Sequence, residues 1–306
     1  MAGKRGSRPA WRAVDGLLLL DKPQGVSSNQ ALQQARRLFR AAKAGHTGSL
    51  DPLATGLLPV CFGEATKIAG LLLGSAKAYA VEARLGQTTD TDDADGVVLC
   101  ERPLPDLDDA GIVSALGALS GRILQRPPAY SALKREGVPA YRRARAGEAV
   151  ELAPREVEVH AIRLLRREHE RLWLEVECGS GTYVRSLVRD LGEALGCGAH
   201  VTALRRLWVT PFEQPSMYTL EALAAMDEDQ RQATLLPIEA GLRHLPAIGL
   251  AEQEVARLRQ GQRIPLPDRP PGSYILWQGA VAVGRGRLDE AGVLHPERLF
   301  CPPAGD

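Results

Sequence analysis

The sequence predicts an α+β fold with a mixed or antiparallel sheet, flanking helices and a small β-rich domain at its C-terminal end. Apolar residues alternate in two stretches, as in half-buried strands, whereas elsewhere they recur with helical spacing. The two kinds of segment do not follow a regular βαβ alternation, which favours an antiparallel or mixed sheet. A chain of 306 residues, 44% of them hydrophobic, is long enough for one large domain and one small one.

The first elements follow from these patterns in chain order. Residues 1–12 are polar and basic, and we predict that they are disordered. Residues 16–20 predict a buried strand, and residues 22–25 a turn. Ser28 is then predicted to cap a helix, and residues 68–73 predict a second buried helix. The apolar positions of the first helix are Ala31, Leu32, Ala35, Leu38 and Phe39.

Two strands and a helix are predicted in the middle of the chain. Residues 79–85 alternate, with Tyr79, Val81, Ala83 and Leu85 on one face. Residues 172–178 alternate in the same way, and a glycine-containing turn follows them. Thr182 is predicted to cap the next helix, whose inward positions are Val184, Leu187, Val188, Leu191 and Leu195. Proline and polar residues also cluster at residues 210–216. The polar N-terminus and the break near residues 245–246 predict three regions: 1–12, 13–246 and 247–306.

Charge is unevenly distributed although the net charge is only +1. The segment from Arg122 to Arg145 has seven basic residues and one acid, and a second basic group lies at residues 36–43. Acids gather instead at residues 90–95 and 106–109. This polarity is compatible with a polyanion on one face, although ordinary solvated surface gives the same pattern.

Cysteine usage and hydropathy favour a cytoplasmic, soluble protein. The five cysteines are far apart and form no Cys-x-x-Cys pair, which argues against a zinc site or a disulfide framework. The apolar run at residues 17–20 is too short for a signal peptide, and no run reaches transmembrane length.

Residues 45–56, Gly-His-Thr-Gly-Ser-Leu-Asp-Pro-Leu-Ala-Thr-Gly, form the most informative segment. They place Asp51 between two leucines, whereas a structural aspartate normally precedes a helix or a polar turn. The apolar neighbours indicate a partly dry pocket, and Gly48 and Gly56 let a substrate approach the backbone. The residues alone leave two interpretations open, an Asp-Pro turn between packed segments and an active-site carboxylate.

Other motifs give weaker signals. Residues 45–48 match the Gly-x-x-Gly of a KH domain, but an Asp-Pro sequence and an apolar stretch follow them. The acidic run at residues 90–96 does not fit a calcium loop, because no frame supplies both the glycine and the final carboxylate. Phosphate-binding and dinucleotide-binding glycine motifs are missing, and the six histidines lack metal-binding spacing. We therefore expect no metal and no cofactor, with a lone carboxylate performing most of the chemistry.

Six segments between residues 16 and 250 resemble, in order, the motifs of the TruB family of tRNA pseudouridine synthases. They are residues 21–28 with Lys22-Pro23, residues 45–67 with Asp51, Tyr79 with residues 86–91, residues 127–134, residues 181–185 and residues 196–206. The residues after 246 resemble, more loosely, the small PUA-type RNA-binding domain of that family. Six ordered segments are far more specific than any one of them.

The resemblance implies isomerisation of uridine 55 in the tRNA T loop to pseudouridine, without a cofactor and with a flipped base. It assigns Asp51 as the nucleophile, Arg185 as its ion-pair partner, and Tyr79 as the tyrosine that stacks on uracil and can transfer a proton. It also implies substrate-binding roles for His46, Tyr183, Leu204 and Lys22. Without the resemblance, Tyr79, Tyr183 and Leu204 would be plain core residues, and Arg185 an exposed helix residue.

The expected partner is the T stem-loop of tRNA, with no membrane and no obligate protein partner. One alternative is a dyskerin-type synthase, which needs a guide RNA and partner proteins. This chain lacks the long basic tails expected there. Another alternative is a tRNA-binding or tRNA-folding module without chemistry, which would have no need of Asp51.

Overall fold

A computed structural model of the chain describes residues 10–131, 133–135, 138–146, 148 and 152–301. These residues form an α+β fold with an eight-stranded mixed sheet, a five-stranded sheet near the C-terminus and two short hairpins. The predicted fold class is confirmed.

The strands in chain order are β1 (Gly16–Lys22), β2 (Ala44–His46), β3 (Thr55–Phe62), β4 (Lys77–Leu85), β5 (Gln87–Thr89), β6 (Val98–Glu101), β7 (Gly121–Gln125), β8 (Lys134–Arg135), β9 (Val138–Pro139), β10 (Arg155–Glu168), β11 (Arg171–Cys178), β12 (Ala199–Val209), β13 (Ala247–Gly249), β14 (Ile264–Pro265), β15 (Gly272–Gln278), β16 (Val281–Leu288) and β17 (Val293–Leu299). The helices are α1 (Ser28–Leu38), α2 (Ala69–Leu73), α3 (Asp109–Ala118), α4 (Ala140–Arg145), α5 (Val184–Ala194), α6 (Leu220–Ala225), α7 (Glu228–Ala233) and α8 (Glu252–Arg259). Two 3-10 helices span Gly63–Ile68 and Ile238–Gly241.

The large sheet has the order β1-β3-β12-β4-β11-β10-β7, and β2 pairs with β3. Its pairings are antiparallel except for β12 with β3, where Arg206 lies opposite Gly56. Gly56 has a φ of +94°, and a Cβ there would lie 2.2 Å from the Arg206 carbonyl oxygen. Only glycine therefore allows β12 to approach β3 this closely, just after the loop that carries Asp51.

Several apolar cores lie among the described residues, and one of them contains residues of both the eight-stranded and the five-stranded sheet. The alternating residues of β4 and β11 pack with α3 and α5, which confirms the predicted buried faces of these strands. Leu18 and Leu20 of β1 pack with α1 and α6, whereas Leu17 and Leu19 face another core. That core also contains Ile275 and Ala282 of the C-terminal sheet and Phe300, which follows β17. The two sheets are thus joined by shared apolar packing.

Two predicted helix caps are wrong by one residue. Ser27 caps α1, because its hydroxyl accepts from the Gln30 amide while the Gln30 side chain accepts from the Ser27 amide. Tyr183 holds the N-cap position of α5, without a side-chain cap bond, and Thr182 instead donates to the Glu158 carbonyl. In both cases the predicted residue has another hydrogen-bonding role next to the cap.

The predictions for the N-terminus and for residues 68–73 can be compared with the structure. Residues 1–9 lie outside the described residues, but Arg12 is not disordered, because its amide donates to the Arg40 carbonyl and its carbonyl accepts from Ala42. The expected helix at residues 68–73 comprises a 3-10 turn followed by α2. None of the described helices is long and apolar enough to cross a membrane. The three regions 1–12, 13–246 and 247–306 stay a prediction beyond this.

Candidate active site

A cleft of about 420 Å³ opens beside the loop that follows β2. Its walls come from this loop, from β4 and β12, from the turn after β11 and from the first residues of α5. The charged and aromatic side chains that line it are Asp51, Lys77, Tyr79, Arg155, Tyr183, Arg185 and Arg206, and Leu204 also lines it. Segments distant in sequence therefore meet around Asp51.

Hydrogen bonds fix the backbone of the loop around Asp51. The Ser28 hydroxyl donates to the Leu50 carbonyl over 3.0 Å and accepts from the Leu50 amide over 2.6 Å. The Gly25 amide donates to the Pro52 carbonyl, and the Ala54 amide donates to the Asp51 carbonyl. Asp51 therefore begins a turn and also projects its carboxylate into the cleft. The turn is therefore confirmed, and the position of the carboxylate in the cleft is compatible with an active-site role.

Asp51 and Arg185 form an ion pair in the cleft. The distance from Arg185 Nε to Asp51 Oδ2 is 2.9 Å, with side-chain exposures of 4% for the arginine and 41% for the aspartate. Desolvation raises the pKa of the Asp51 carboxyl above its ordinary value, and the Arg185 charge opposes this rise. Arg185 is thus a buried cation and not an exposed helix residue.

Arg185 is fixed by further partners behind Asp51. It donates to the Thr91 carbonyl over 2.6 Å and to the Tyr130 carbonyl over 2.9 Å. Its Nη1 also lies 3.4 Å from Oδ2 of the buried Asp93. One guanidinium therefore bridges two carboxylates, and the second carboxylate anchors it while the first stays open to the cleft.

The acidic run that invited a calcium interpretation serves this anchoring. Asp93 pairs with Arg185, and Asp92 pairs with Arg189 one turn later in α5 at 3.0 Å. Asp90 accepts from the Val97 amide and the Tyr130 hydroxyl. These carboxylates are committed to protein partners, which gives the run a structural explanation.

Tyr79 lines the cleft together with two basic side chains, Lys77 and Arg206. Burial raises the pKa of the Tyr79 phenol, and Arg206 interacts with its oxygen. Arg206 itself is 1% exposed and donates to the Leu57 and Gly48 carbonyls. Burial lowers the pKa of Lys77 to about 8, and its ammonium donates to the Ser75 carbonyl. Burial thus favours the neutral phenol, and the nearby Arg206 charge opposes the rise of its pKa.

Two predicted substrate-binding residues are placed differently from the others. Lys22 is fully buried under the loop and donates to the Pro52 and Ala54 carbonyls, so it offers no surface to a substrate. Burial lowers the pKa of Lys22 to about 8. His46 is half-buried at the end of β2, outside the cleft lining, and its Nδ1 accepts from the Gly48 amide. The structure brings together Asp51, Tyr79, Arg185, Tyr183 and Leu204, with Lys22 supporting them.

Sequence patterns did not assign site roles to Arg206, Lys77, Asp93 or Arg155. Arg206 lies in a motif that resembles the family, so its position was visible but its contact with Tyr79 was not. Asp93 lies in the acidic run at residues 90–96, which was noticeable in the sequence but did not indicate a role in the site. Lys77 and Arg155 had no distinguishing signal, because their positions depend on strand pairing across the large sheet.

Three models of known protein families match the chain. Residues 36–184 match the family described as TruB family pseudouridylate synthase (N terminal domain). Residues 185–243 match the tRNA pseudouridylate synthase B C-terminal domain, and residues 246–300 match Pseudouridine synthase II TruB, C-terminal. Together these matches span nearly the whole described chain.

The chain is similar to several relatives named tRNA pseudouridine synthase B. Identity is 59% with that of Xanthomonas campestris pv. campestris (strain B100), covering 96% of each chain. It is 56% with that of Xylella fastidiosa (strain Temecula1), covering 96% of this chain and 98% of the relative. It is 48% with that of Chromohalobacter salexigens, covering 98% and 97%.

Solved structures with a similar fold include a chain of a Cbf5-Nop10-Gar1 complex, with a TM-score of 0.76 and 24% identity over 98% of this chain and 92% of that one. A chain of an H/ACA RNP bound to a substrate RNA containing 2'-deoxyuridine has a TM-score of 0.74 and 23% identity, with coverages of 98% and 92%. At these identities the likeness concerns the fold. With the family matches and the relatives at 48–59% identity, the chain belongs to the TruB family of pseudouridylate synthases.

Proposed function

We propose that this protein converts uridine 55 in the T loop of tRNA to pseudouridine, with Asp51 as nucleophile and without a cofactor. The observation that carries the proposal is the Asp51–Arg185 pair, which lies in a cleft beside Tyr79. The names of the relatives support tRNA as the substrate. The position in the T loop rests on the resemblance of the motifs.

The reaction is an isomerisation, so every atom of the nucleotide is conserved. The bond between ribose C1' and uracil N1 breaks, and a bond between C1' and C5 forms after the base turns. The C5 hydrogen leaves as a proton, and N1 gains a proton. No electrons enter or leave, and a carboxylate nucleophile with a proton relay is sufficient for such a sequence.

Asp51 is suited to hold the substrate covalently during this turn. Its carboxylate attacks either the ribose or the pyrimidine ring, and the adduct keeps the fragments in one site. Attack requires the ionised carboxylate. Arg185 favours that form because its charge opposes the desolvation that raises the Asp51 pKa.

The cleft can receive a nucleotide that has left its stack. Its volume of about 420 Å³ lies within the range of roughly 300–1,000 Å³ for pockets that enclose small ligands. A stacked aromatic ring contributes about 1–3 kcal/mol per base, which offsets the cost of unstacking. Tyr79 is well placed for this, and its raised pKa keeps it a neutral phenol that can donate or relay a proton.

The segment from Arg122 to Arg145 supplies positive charge next to the cleft. Arg122, Arg126 and Arg142 are exposed, and Leu133 lines the cleft itself. Contacts between these arginines and phosphates would add a sequence-independent, salt-dependent affinity. The side chains of Lys134, Arg135 and Arg145, which the sequence also placed in this group, lie outside the described residues.

Stand-alone action is favoured over a guide-dependent synthase. The relatives at 48–59% identity are named as tRNA enzymes and are matched over nearly their whole length. The solved Cbf5 complexes share the fold at 23–24% identity and carry no argument about partners. Activity of the purified chain on tRNA alone would discriminate the two.

The test is pseudouridine formation by the purified protein on an unmodified T-arm hairpin, with no added cofactor or protein. We expect conversion by the wild type and none by Asp51→Asn, while that variant still binds the hairpin. Asp108→Asn is the matched control, because Asp108 caps α3 and asparagine caps equally well. Turnover by Asp51→Asn would refute the nucleophile, and an inactive wild type would refute the function.

A further inference from the structure

Tyr183 lines the cleft and is held by two other side chains. We propose that Gln125 and Arg155 are positioning residues that fix Tyr183, and through it the start of α5, in the geometry that the reaction needs. The proposal rests on the proposed function for its kinetic consequences. Its structural part, that Gln125 and Arg155 together hold Tyr183 in place, does not depend on the reaction.

Gln125 is the last residue of β7 and is completely buried. Its Oε1 accepts from the Tyr183 amide over 2.8 Å, and its Nε2 donates to the Tyr183 carbonyl over 3.1 Å. A side-chain amide thus imitates the pairing of a strand neighbour. Both backbone groups of Tyr183 are satisfied by one residue, 58 positions away in sequence.

Arg155 holds the ring of the same tyrosine. Its guanidinium carbon lies 5.1 Å from the Tyr183 ring centroid, a distance suited to a cation–π contact. Its Nη2 donates to the carbonyl of Gly181, which has a φ of +88°. Arg155 therefore joins the turn before α5 to the ring that lines the cleft.

Tyr183 is the residue at which this fixing has most effect. It is the N-cap of α5, with extended φ and ψ and no side-chain cap bond of its own. Its carbonyl also accepts from the Leu187 amide, the first hydrogen bond of the helix. Arg185 follows two residues later and pairs with Asp51. The backbone held by Gln125 thus carries the Tyr183 ring directly and lies two residues before the arginine that pairs with Asp51.

Loss of the Gln125 contacts should slow the chemical step more than it weakens RNA binding. Displacement of a positioning group by about 1 Å can cost roughly 100-fold in rate, whereas phosphate contacts dominate affinity. We expect Gln125→Leu to lower kcat about 10- to 100-fold with KM changed less than about threefold. Gln125→Glu keeps the acceptor for the Tyr183 amide but loses the donor, so its kcat should lie between those of the wild type and Gln125→Leu. It keeps the prediction testable if the leucine variant misfolds.

The role of Arg155 is tested by asking whether the effect of its substitution depends on the Tyr183 ring. In a double-mutant cycle of Arg155→Lys and Tyr183→Leu, the lysine substitution should lower kcat only when the tyrosine is present. Arg166→Lys is the matched control, because Arg166 stacks on Trp173 at 4.2 Å and neither lines the cleft. The wild type, Arg155→Lys, Gln125→Leu and Arg166→Lys are also labelled with 3-fluorotyrosine. The chain has six tyrosines, and the resonance of Tyr183 is the one missing from the spectrum of Tyr183→Phe.

The expected result is a ¹⁹F resonance of Tyr183 that shifts in Arg155→Lys and Gln125→Leu but not in Arg166→Lys. An unchanged resonance in both variants would overturn the positioning role, and so would kcat effects that simply multiply in the cycle. The spectra test the contacts of Gln125 and Arg155 with Tyr183 whether or not the hairpin is converted. An inactive wild type would instead refute the proposed function, which keeps the two failures apart.

Discussion

Removal of the Arg185 charge should move the acid limb of the pH–rate profile to higher pH. In the proposed reaction Asp51 attacks as an anion, so the rate is expected to fall as pH decreases through the pKa of Asp51. Desolvation already raises that pKa, and Arg185 is the strongest opposing influence. Arg185→Met removes this influence, and the carboxylate then protonates at higher pH.

The magnitude follows from the geometry of the ion pair. At the 2.9 Å between Arg185 Nε and Asp51 Oδ2, Coulomb's law with an effective dielectric near 20 gives about 6 kcal/mol. The Asp51 side chain is 41% exposed, so solvent screening reduces the interaction to about 1.5–3 kcal/mol. At 1.36 kcal/mol per pKa unit, the acid limb should move upward by about 1–2 units.

The assay is single-turnover release of tritium from C5-labelled uridine in a T-arm hairpin, measured from pH 5 to 9. Arg185→Lys keeps the charge, so its limb should stay near that of the wild type even if its rate falls. Arg189→Met is the control, because Arg189 lies one turn later in α5, pairs with Asp92 and does not line the cleft. An acid limb of Arg185→Met at the wild-type pH would refute the electrostatic role.

Three further outcomes follow from the structure. Tyr79→Leu should lose far more turnover than hairpin affinity, measured by kinetics and by filter binding, because stacking acts on the flipped base; equal losses would indicate a structural tyrosine. Charge reversal at Arg142 and Arg143 should weaken RNA binding and reduce the slope of log K against log salt by about 0.7–0.9 per lost phosphate contact; an unaltered slope would place the RNA elsewhere. Gly56→Ala should lower the free energy of unfolding by about 3 kcal/mol or more, since φ is +94° and a Cβ would meet a backbone carbonyl at 2.2 Å. In Gly25→Ala, with φ +83° but open space, denaturant titration should show a loss of only about 1–2 kcal/mol.

The elements with clear periodicity were predicted correctly from local sequence. The alternation from Tyr79 to Leu85 placed those residues on the buried face of β4, and the helical spacing from Val184 to Leu191 placed them against the same core. These faces depend on nearest neighbours along the chain, so pattern alone determines them. Caps were less accurate because adjacent polar residues compete for one position, as Ser27 and Ser28 do.

The site was predictable in part, through motifs whose resemblance located Asp51, Tyr79 and Arg185. What local patterns could not show is which distant groups satisfy them. Asp93 reaches Arg185 because the loop after β5 folds across α5, and Gln125 reaches Tyr183 only through the pairing of β7 with β10. Long-range pairing of this kind carries no periodic signal in either partner.

The core shared between the two sheets makes the C-terminal region part of the folding unit. Ile275, Ala282 and Phe300 pack with Leu17 and Leu57 of β1 and β3, and Lys67 donates to the Leu299 carbonyl. A chain shortened before β13 would expose this apolar surface to water, at roughly 25 cal/mol for each Å² uncovered. A truncation experiment would therefore measure damage to the catalytic scaffold. Substitution of exposed residues on the C-terminal sheet is the cleaner way to ask whether that sheet contacts RNA.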